Sequence, residues 1–312
     1  MALKKEFADY LALREKMNMP APWEMSIEEY RFRTLPDPVF IGTPEPIFSV
    51  ENRIISGPTG YLPIRIYRPS AEPNLPVMLY YHGGGWVIGN MDNNEPTARS
   101  LANKGNFVVV QVQYQKAPEH PFPTPFNDCY ATLDWVVKNA DMLKIDPKKI
   151  GVGGDSAGGN LAAAVAIRSR DENLVELAFQ MLVYPCTGND GSLPSAIRNA
   201  EGFGLTSKIM RWFEFQYIGT DADLHNPYTF PAYCHDLSGL APAVLVTAEY
   251  DPLADDGRLY AQALEAAGVQ VIFKECEGAI HGFNNLAGLA PHFTSEIQEF
   301  LVRGINSFLG RK

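Results

Sequence analysis

The chain has 312 residues, 46% of them hydrophobic, and a formal net charge of −10. That length and apolar content suffice for one large buried core, which excludes a disordered chain. The acidic balance argues against a nucleic-acid partner, because the basic pairs Lys4-Lys5 and Lys148-Lys149 stand alone.

In chain order, residues 1–10 carry Lys4, Lys5, Glu6 and Asp9 without an apolar core. No signal peptide is expected there, and no run elsewhere is apolar for long enough to cross a bilayer, so the expectation is a cytoplasmic protein without a membrane span. Leu3, Phe7, Leu11 and Arg14 fall at helical spacing over 3–17, and Ser26-Ile27-Glu28-Glu29 opens a second, capped helix. The Pro-rich 35–46 has the composition of a linker, after which 52–56 and 61–67 form antiparallel strands around Gly57-Pro58-Thr59-Gly60. Alternation follows: strand 77–81, helix 94–104, strand 107–114, helix 126–140, strand 149–153 and helix 161–168. Strands 178–184 and 243–248, helix 253–267, strand 269–275 and helix 294–309 complete it. This pattern predicts an α/β fold, a mostly parallel central sheet with helices on both faces.

The alternation breaks between Pro185 and Leu240, where a helical 207–217 and a turn-rich 221–231 intervene. An insertion of that length between two strands is expected to be a cap, at about 186–240, completed by the N-terminal helices of 1–45. Residues 46–312 would then form the catalytic domain.

Two glycine-rich motifs carry the chemistry. Strand 77–81 runs into His82-Gly83-Gly84-Gly85-Trp86, and three glycines there offer no packing in return for their conformational entropy. Strand 149–153 runs into Gly154-Asp155-Ser156-Ala157-Gly158, the G-x-S-x-G pattern of a nucleophile elbow. A dinucleotide-binding turn is the rival reading, but that fingerprint wants Gly or Ala where Ser156 stands. In the elbow reading Ser156 is the nucleophile, and the N–H of Ala157 joins those of Gly83, Gly84 and Gly85 in an oxyanion hole. His82 and Asp155 are expected to support the loop and the elbow by hydrogen bonds.

A serine needs a base and the base an orienting carboxylate, in the chain order nucleophile, acid, histidine. Beyond the last long strand stand His281, in a strand-end loop, and His292, at a helix start beside Pro291 and read as a surface or capping residue. His120, His225 and His235 precede the acid and are rejected by the order. Asp251 follows strand 243–248; its competitors are Glu249 and the pair Asp255 and Asp256, the latter two read as a solvated first helical turn. Asp128, Asp134 and Asp146 precede the elbow and are assigned structural duties. Cys129, Cys186, Cys234 and Cys276 form no C-x-x-C pair, and H-E-x-x-H is absent, so neither a disulfide framework nor a metal or other cofactor is expected.

With His82-Gly83-Gly84-Gly85-Trp86, Gly154-Asp155-Ser156-Ala157-Gly158-Gly159, Asp251-Pro252-Leu253 and His281-Gly282-Phe283 in this order, the chain resembles the bacterial hormone-sensitive lipase family of the α/β-hydrolase superfamily. The resemblance implies a Ser156-His281-Asp251 triad, a helical cap and hydrolysis of short- to medium-chain carboxylic esters. Gln115 and Lys116 in Tyr114-Gln115-Lys116-Ala117-Pro118-Glu119, and Ala254 after Asp251-Pro252-Leu253, depart from that pattern and suggest lost arginine ion pairs.

The expectation is a serine carboxylesterase acting on a small-molecule ester, with Trp86, Tyr184, Phe203, Leu205, Trp212 and Phe213 as candidate lining of the substrate pocket. For each of the six, ordinary packing is at least an equal account. Amidase, lactonase or acyltransferase chemistry would use the same triad. A non-catalytic small-ligand receptor on this fold is the reading from another class, and it has no need of a complete triad. An edge position for strand 269–275 would invite pairing into a homodimer.

Overall fold

The computed structural model describes residues 2–188, 191–218 and 224–311. Its centre is one eight-stranded sheet in the order β1-β2-β4-β3-β5-β6-β7-β8. The first two strands are the antiparallel ribbon β1 (Ser49–Gly57) and β2 (Gly60–Arg68), and β2 also pairs antiparallel with β4 (Val108–Val112). From β4 through β3 (Leu75–Tyr81), β5 (Ile145–Asp155), β6 (Phe179–Val183) and β7 (Ala243–Tyr250) to β8 (Val271–Ile280), all pairing is parallel. The expected mostly parallel sheet is therefore present.

Every residue of β3, β4 and β6 is buried, which is why these strands show continuous apolar runs rather than alternation. One face is covered by α5 (Thr124–Lys138), α7 (Ala157–Asp171) and α10 (Ala254–Ala266). The other face carries α4 (Glu95–Gly105) and α11 (Pro291–Phe308). Small side chains set the closest approaches. A Cβ on Gly151 would lie 2.4 Å from the Phe179 ring on the neighbouring strand.

The N-terminal segment forms α1 (Lys5–Met17) and α2 (Ile27–Arg33), the latter capped by Ser26 Oγ accepting from the Glu29 N–H. Phe7 of α1 is fully buried, edge-on to Phe293 at 5.3 Å. The Pro-rich linker proves to contain a single helical turn, α3 (Pro38–Ile41), started by Asp37 Oδ1 accepting from the Val39 N–H. A turn this short has no periodicity to reveal it. Two further short helices, α6 (Ala140–Leu143) and α8 (Pro194–Arg198), escape sequence reading for the same reason, whereas α9 (Ser207–Tyr217) matches its expected span. The start of the turn-rich 221–231 stretch lies outside the described residues.

Because β3, β5, β7 and β8 run in parallel, their C-terminal ends meet at one edge of the sheet. The loop after each strand is thereby brought to a common place, where open α/β sheets hold their sites.

Candidate active site

The strand-to-helix turn from β5 to α7 places Ser156 at φ 56°, ψ −119°, a strained conformation for a residue with a side chain. It is held there from outside: the Ser156 N–H donates to the Val183 carbonyl at 2.9 Å. The flanking glycines are sterically required. A Cβ on Gly158 would lie 1.9 Å from the Tyr81 carbonyl oxygen, and one on Gly154 would lie 2.4 Å from the backbone of Gly158.

Ser156 Oγ lies 2.9 Å from His281 Nε2, and His281 Nδ1 lies 2.6 Å from Asp251 Oδ2. Asp251 is fully buried, its other oxygen accepting from the Leu253 N–H at 2.9 Å. A carboxylate only accepts, so Nδ1 carries the imidazole proton and Nε2 is left to accept from the serine hydroxyl. Tyr184, at φ 36°, packs its ring 4.6 Å from the His281 ring. Asn199, at the end of α8, donates to the carbonyls of both Glu249 and Asp251 at 3.0 Å and so fixes the turn that carries the acid.

The loop after β3 passes through Gly84, Gly85 and Trp86 at φ 119°, 58° and 60°. Among the described residues, the N–H groups of Gly84, Gly85 and Ala157 find no acceptor. The Gly83 N–H is different, because it donates to Asp155 Oδ1 at 3.1 Å and is already committed. His82 is buried and stacked 4.3 Å from Tyr114, whose hydroxyl donates to the His82 carbonyl. Burial pushes its imidazole down to about 3, so the ring is neutral.

Asp155 joins these parts. Its Oδ1 accepts from the Tyr80 hydroxyl at 2.8 Å, from Asn94 Nδ2 at 3.1 Å and from the Gly83 N–H. Asn94 also donates to Asn285 Oδ1, and Asn284 donates to the Tyr80 hydroxyl, so the network reaches the segment that follows His281. Burial raises the Asp155 carboxyl, opposed by its hydrogen bonds to Tyr80 and Gly83.

The six candidate pocket residues are dispersed. Trp86 is buried, lying parallel to Tyr217 of α9 at 4.3 Å with its indole N–H donating to Asn160. Phe213 covers Gly85, whose Cβ would fall 2.2 Å from that ring. Trp212 and Leu205 are partly buried against the apolar core, and Phe203 packs on Tyr250 at 4.8 Å. A cavity of about 330 Å³ adjoins the acid through Pro252 and Leu253, and is lined by Met210, Glu214 and Phe230 among others. None of the six lines it. The signal for Met210 was the buried face of α9, which it shares with Phe213 and Tyr217 at helical spacing.

Asp255 and Asp256 require correction. They do open α10, but both are buried: Asp255 accepts from the Ser195 N–H, and Asp256 from the N–H and hydroxyl of Thr187. They satisfy backbone donors in the chain leaving β6, which a helix-start reading cannot foresee. His292 is exposed at the start of α11. Other ion pairs stand near the departures at Gln115, Lys116 and Ala254. Glu119 receives a two-pronged pair from Arg31 at 2.7 Å, and Arg258 contacts both Asp255 and Glu275. Among the described residues, no group of three or more His, Cys, Asp or Glu could hold a metal ion, and no helix is long and apolar enough to cross a membrane.

A sequence profile of the alpha/beta hydrolase fold matches residues 78–285. The chain is 44% identical over 250 residues to the carboxylesterase NlhH of Mycobacterium tuberculosis, covering 77% of this chain and 78% of that one. It is 39% identical over 293 residues to the esterase LipI of the same organism, covering 90% of each. In three dimensions it superposes on an ester hydrolase from the metagenome of Lake Arreo, solved with a bipyridine phosphonate derivative, with a TM-score of 0.94, 35% identity and 99% of both chains covered. These matches correct the narrower resemblance drawn above, since they identify carboxylesterases and esterases of the alpha/beta-hydrolase fold and not specifically the hormone-sensitive lipase family. By profile, sequence and superposition, the chain belongs to the alpha/beta-hydrolase esterase family.

Proposed function

We infer that the protein is a serine carboxylesterase in which Ser156 is the nucleophile, His281 the base and Asp251 its orienting acid. One observation carries the assignment: the 2.9 Å and 2.6 Å links of Ser156, His281 and Asp251 stand beside three backbone N–H groups without acceptors. In this mechanism His281 Nε2 takes the hydroxyl proton as Ser156 Oγ attacks the ester carbonyl. The oxyanion is held by the N–H groups of Gly84, Gly85 and Ala157, each such donor contributing about 3 kcal/mol in the transition state. Gly83, already bound to Asp155, orients the loop instead. His281 then protonates the leaving alcohol, and a water activated in the same way releases the acid from the acyl-enzyme.

The cavity of about 330 Å³ beside Asp251, with Met210, Phe230 and Leu253 in its wall, supports short- to medium-chain acyl groups. Residues 1–45 and the insertion at about 186–240 are proposed to act together as a cap. In support, Tyr30 of α2 meets Trp212 and Phe213 of α9 at 5.8 and 6.2 Å, and Arg31 donates to the carbonyls of Val87 and Ala117. Four unpaired thiols support a reducing, cytoplasmic location. The unpartnered outer edge of β8 supports a homodimer.

With p-nitrophenyl esters from acetate to palmitate, hydrolysis should peak at a short or medium chain and fall by at least about a thousandfold in Ser156→Ala; undiminished mutant activity would sink the assignment. Asp155→Asn should lower kcat about tenfold or more while leaving KM within about threefold, because it slackens the oxyanion loop rather than the substrate pocket. Equal losses in both constants would point to a general structural role. Burial and the neighbouring Asp256 carboxylate push the Glu214 carboxyl from 4.5 up to about 7, against the pull of Arg211. A group that binds its proton more tightly when folded stabilises fully below its unfolded pKa and loses that contribution as pH rises through the folded value. Unfolding free energy should therefore fall between about pH 4.5 and 7, and Glu214→Gln should flatten that slope. If α2 and α9 are one cap, their amides should lose exchange protection together over the same range. Light scattering after size exclusion tests the dimer, and a monomer at micromolar concentration would end that idea.

A further inference from the structure

The cavity of about 330 Å³ beside Asp251 has one wall made by α9, from which Ser207, Met210, Arg211 and Glu214 reach it at the i, i+3, i+4, i+7 spacing of a single helix face. Phe230, Pro252 and Leu253 add apolar surface. Its link to the nucleophile runs through Cys186. The Cys186 N–H donates to the Ser156 carbonyl at 3.4 Å, and its thiol is pushed up by burial and then by the carboxylates of Asp256, Glu214 and Asp251. Glu214 and the triad acid thus act on one and the same sulfur.

Glu214 stands apart in this wall. Its carboxyl makes no hydrogen bond and no ion pair among the described residues. The neighbouring Asp256 gives its oxygens to Thr187 and to the Gly188 N–H and offers Glu214 only repulsion, while Arg211 attracts it from the rim without an ion pair. Burial, followed by the Asp256 charge, holds the Glu214 carboxyl up at about 7. An apolar side chain of similar size at 214 would avoid that desolvation cost altogether. A half-buried acid that bonds nothing in the fold is accounted for by a donor that enters the cavity.

Resting on the esterase reading, we propose that Glu214 is a specificity-determining residue, one that makes this cavity select esters whose short acyl chain ends in a hydroxyl over plain alkanoyl esters. The terminal hydroxyl donates to a Glu214 carboxyl oxygen, and the methylenes between it and the ester lie along Met210, Phe230 and Leu253. Both protonation states of a carboxyl keep an oxygen that accepts, so the contact does not need a charged acid. Discrimination of this kind works mainly by penalty. When an alkyl end takes the place of the hydroxyl, the carboxyl is left desolvated and unpaired, and the plain ester bears that cost.

The test compares kcat/KM for p-nitrophenyl 6-hydroxyhexanoate and p-nitrophenyl heptanoate, which have equal numbers of heavy atoms. The native protein should favour the hydroxy ester by at least about tenfold, and Glu214→Leu should lower that ratio by at least about tenfold. Glu214→Gln, which keeps a carbonyl acceptor, should retain most of the preference. Calorimetric titration of ethyl 6-hydroxyhexanoate and ethyl heptanoate into Ser156→Ala protein, with and without Glu214→Leu, repeats the comparison without turnover. A binding preference that depends on Glu214 while no ester is hydrolysed upholds selection by Glu214 and sinks the esterase reading. Hydrolysis of both esters in a ratio that Glu214→Leu leaves unchanged, a native preference for heptanoate, or equal binding of the two ethyl esters overturns the proposal and leaves the esterase reading intact. Glu214→Leu should melt no lower than the native protein above about pH 7, where the native carboxyl is ionised and unpaired, so a lost preference is not a lost fold.

Discussion

A single buried carboxylate, that of Asp155, accepts hydrogen bonds from β3, from the glycine loop after it and from the start of α4. Through Asn94 and Tyr80 it reaches the residues that follow His281. Asp155 stands 75, 72 and 61 residues from these donors in sequence, so the position of the elbow against them rests on contacts of this kind. A charge buried this deeply is costly unless it is hydrogen-bonded, and the donors that relieve it are those whose position the site depends on. The demand for solvation thus becomes a demand for geometry. It also removes the Gly83 N–H from the pool of free donors and leaves Gly84, Gly85 and Ala157.

Around this anchor, three residues with side chains adopt left-handed backbone: Ser156, Trp86 and Tyr184. Each conformation costs free energy, and each is imposed by surrounding structure. Ser156 is tethered to Val183, Tyr184 to the Val246 carbonyl, and Trp86 is clamped between Asn160 and the ring of Tyr217. Strain here is the by-product of turning the chain sharply at the ends of β3, β5 and β6, where the parallel sheet delivers its loops.

What the sequence disclosed follows from which constraints are local. Glycine at 83 to 85, 154 and 158 is a local necessity of tight turns, and the strand-end placing of Asp251 and His281 follows from alternating elements. The parallel sheet could be read from the same alternation. Residues whose role depends on how the insertion folds back were opaque. Met210, Glu214 and Phe230 meet Leu253 only in space, and nothing near them in sequence announces a cavity. Asp255 and Asp256 misled because the first turn of a helix is ordinarily solvated, whereas here the chain around Thr187 and Ser195 is packed over it. Arg31 escaped notice altogether, since it answers Glu119 from 88 residues away.

The ring of Phe213 lies where a Cβ on residue 85 would have to be. History at these two positions is therefore directional. A smaller side chain at 213 opens room in which residue 85 is free to change, still subject to the cost of a left-handed backbone at φ 58°. The reverse order passes through a chain in which roof and loop collide. Lineages that diversify the roof of this site must accordingly change helix α9 first and the glycine loop second, so the order of events is fixed by steric exclusion between residues 128 positions apart.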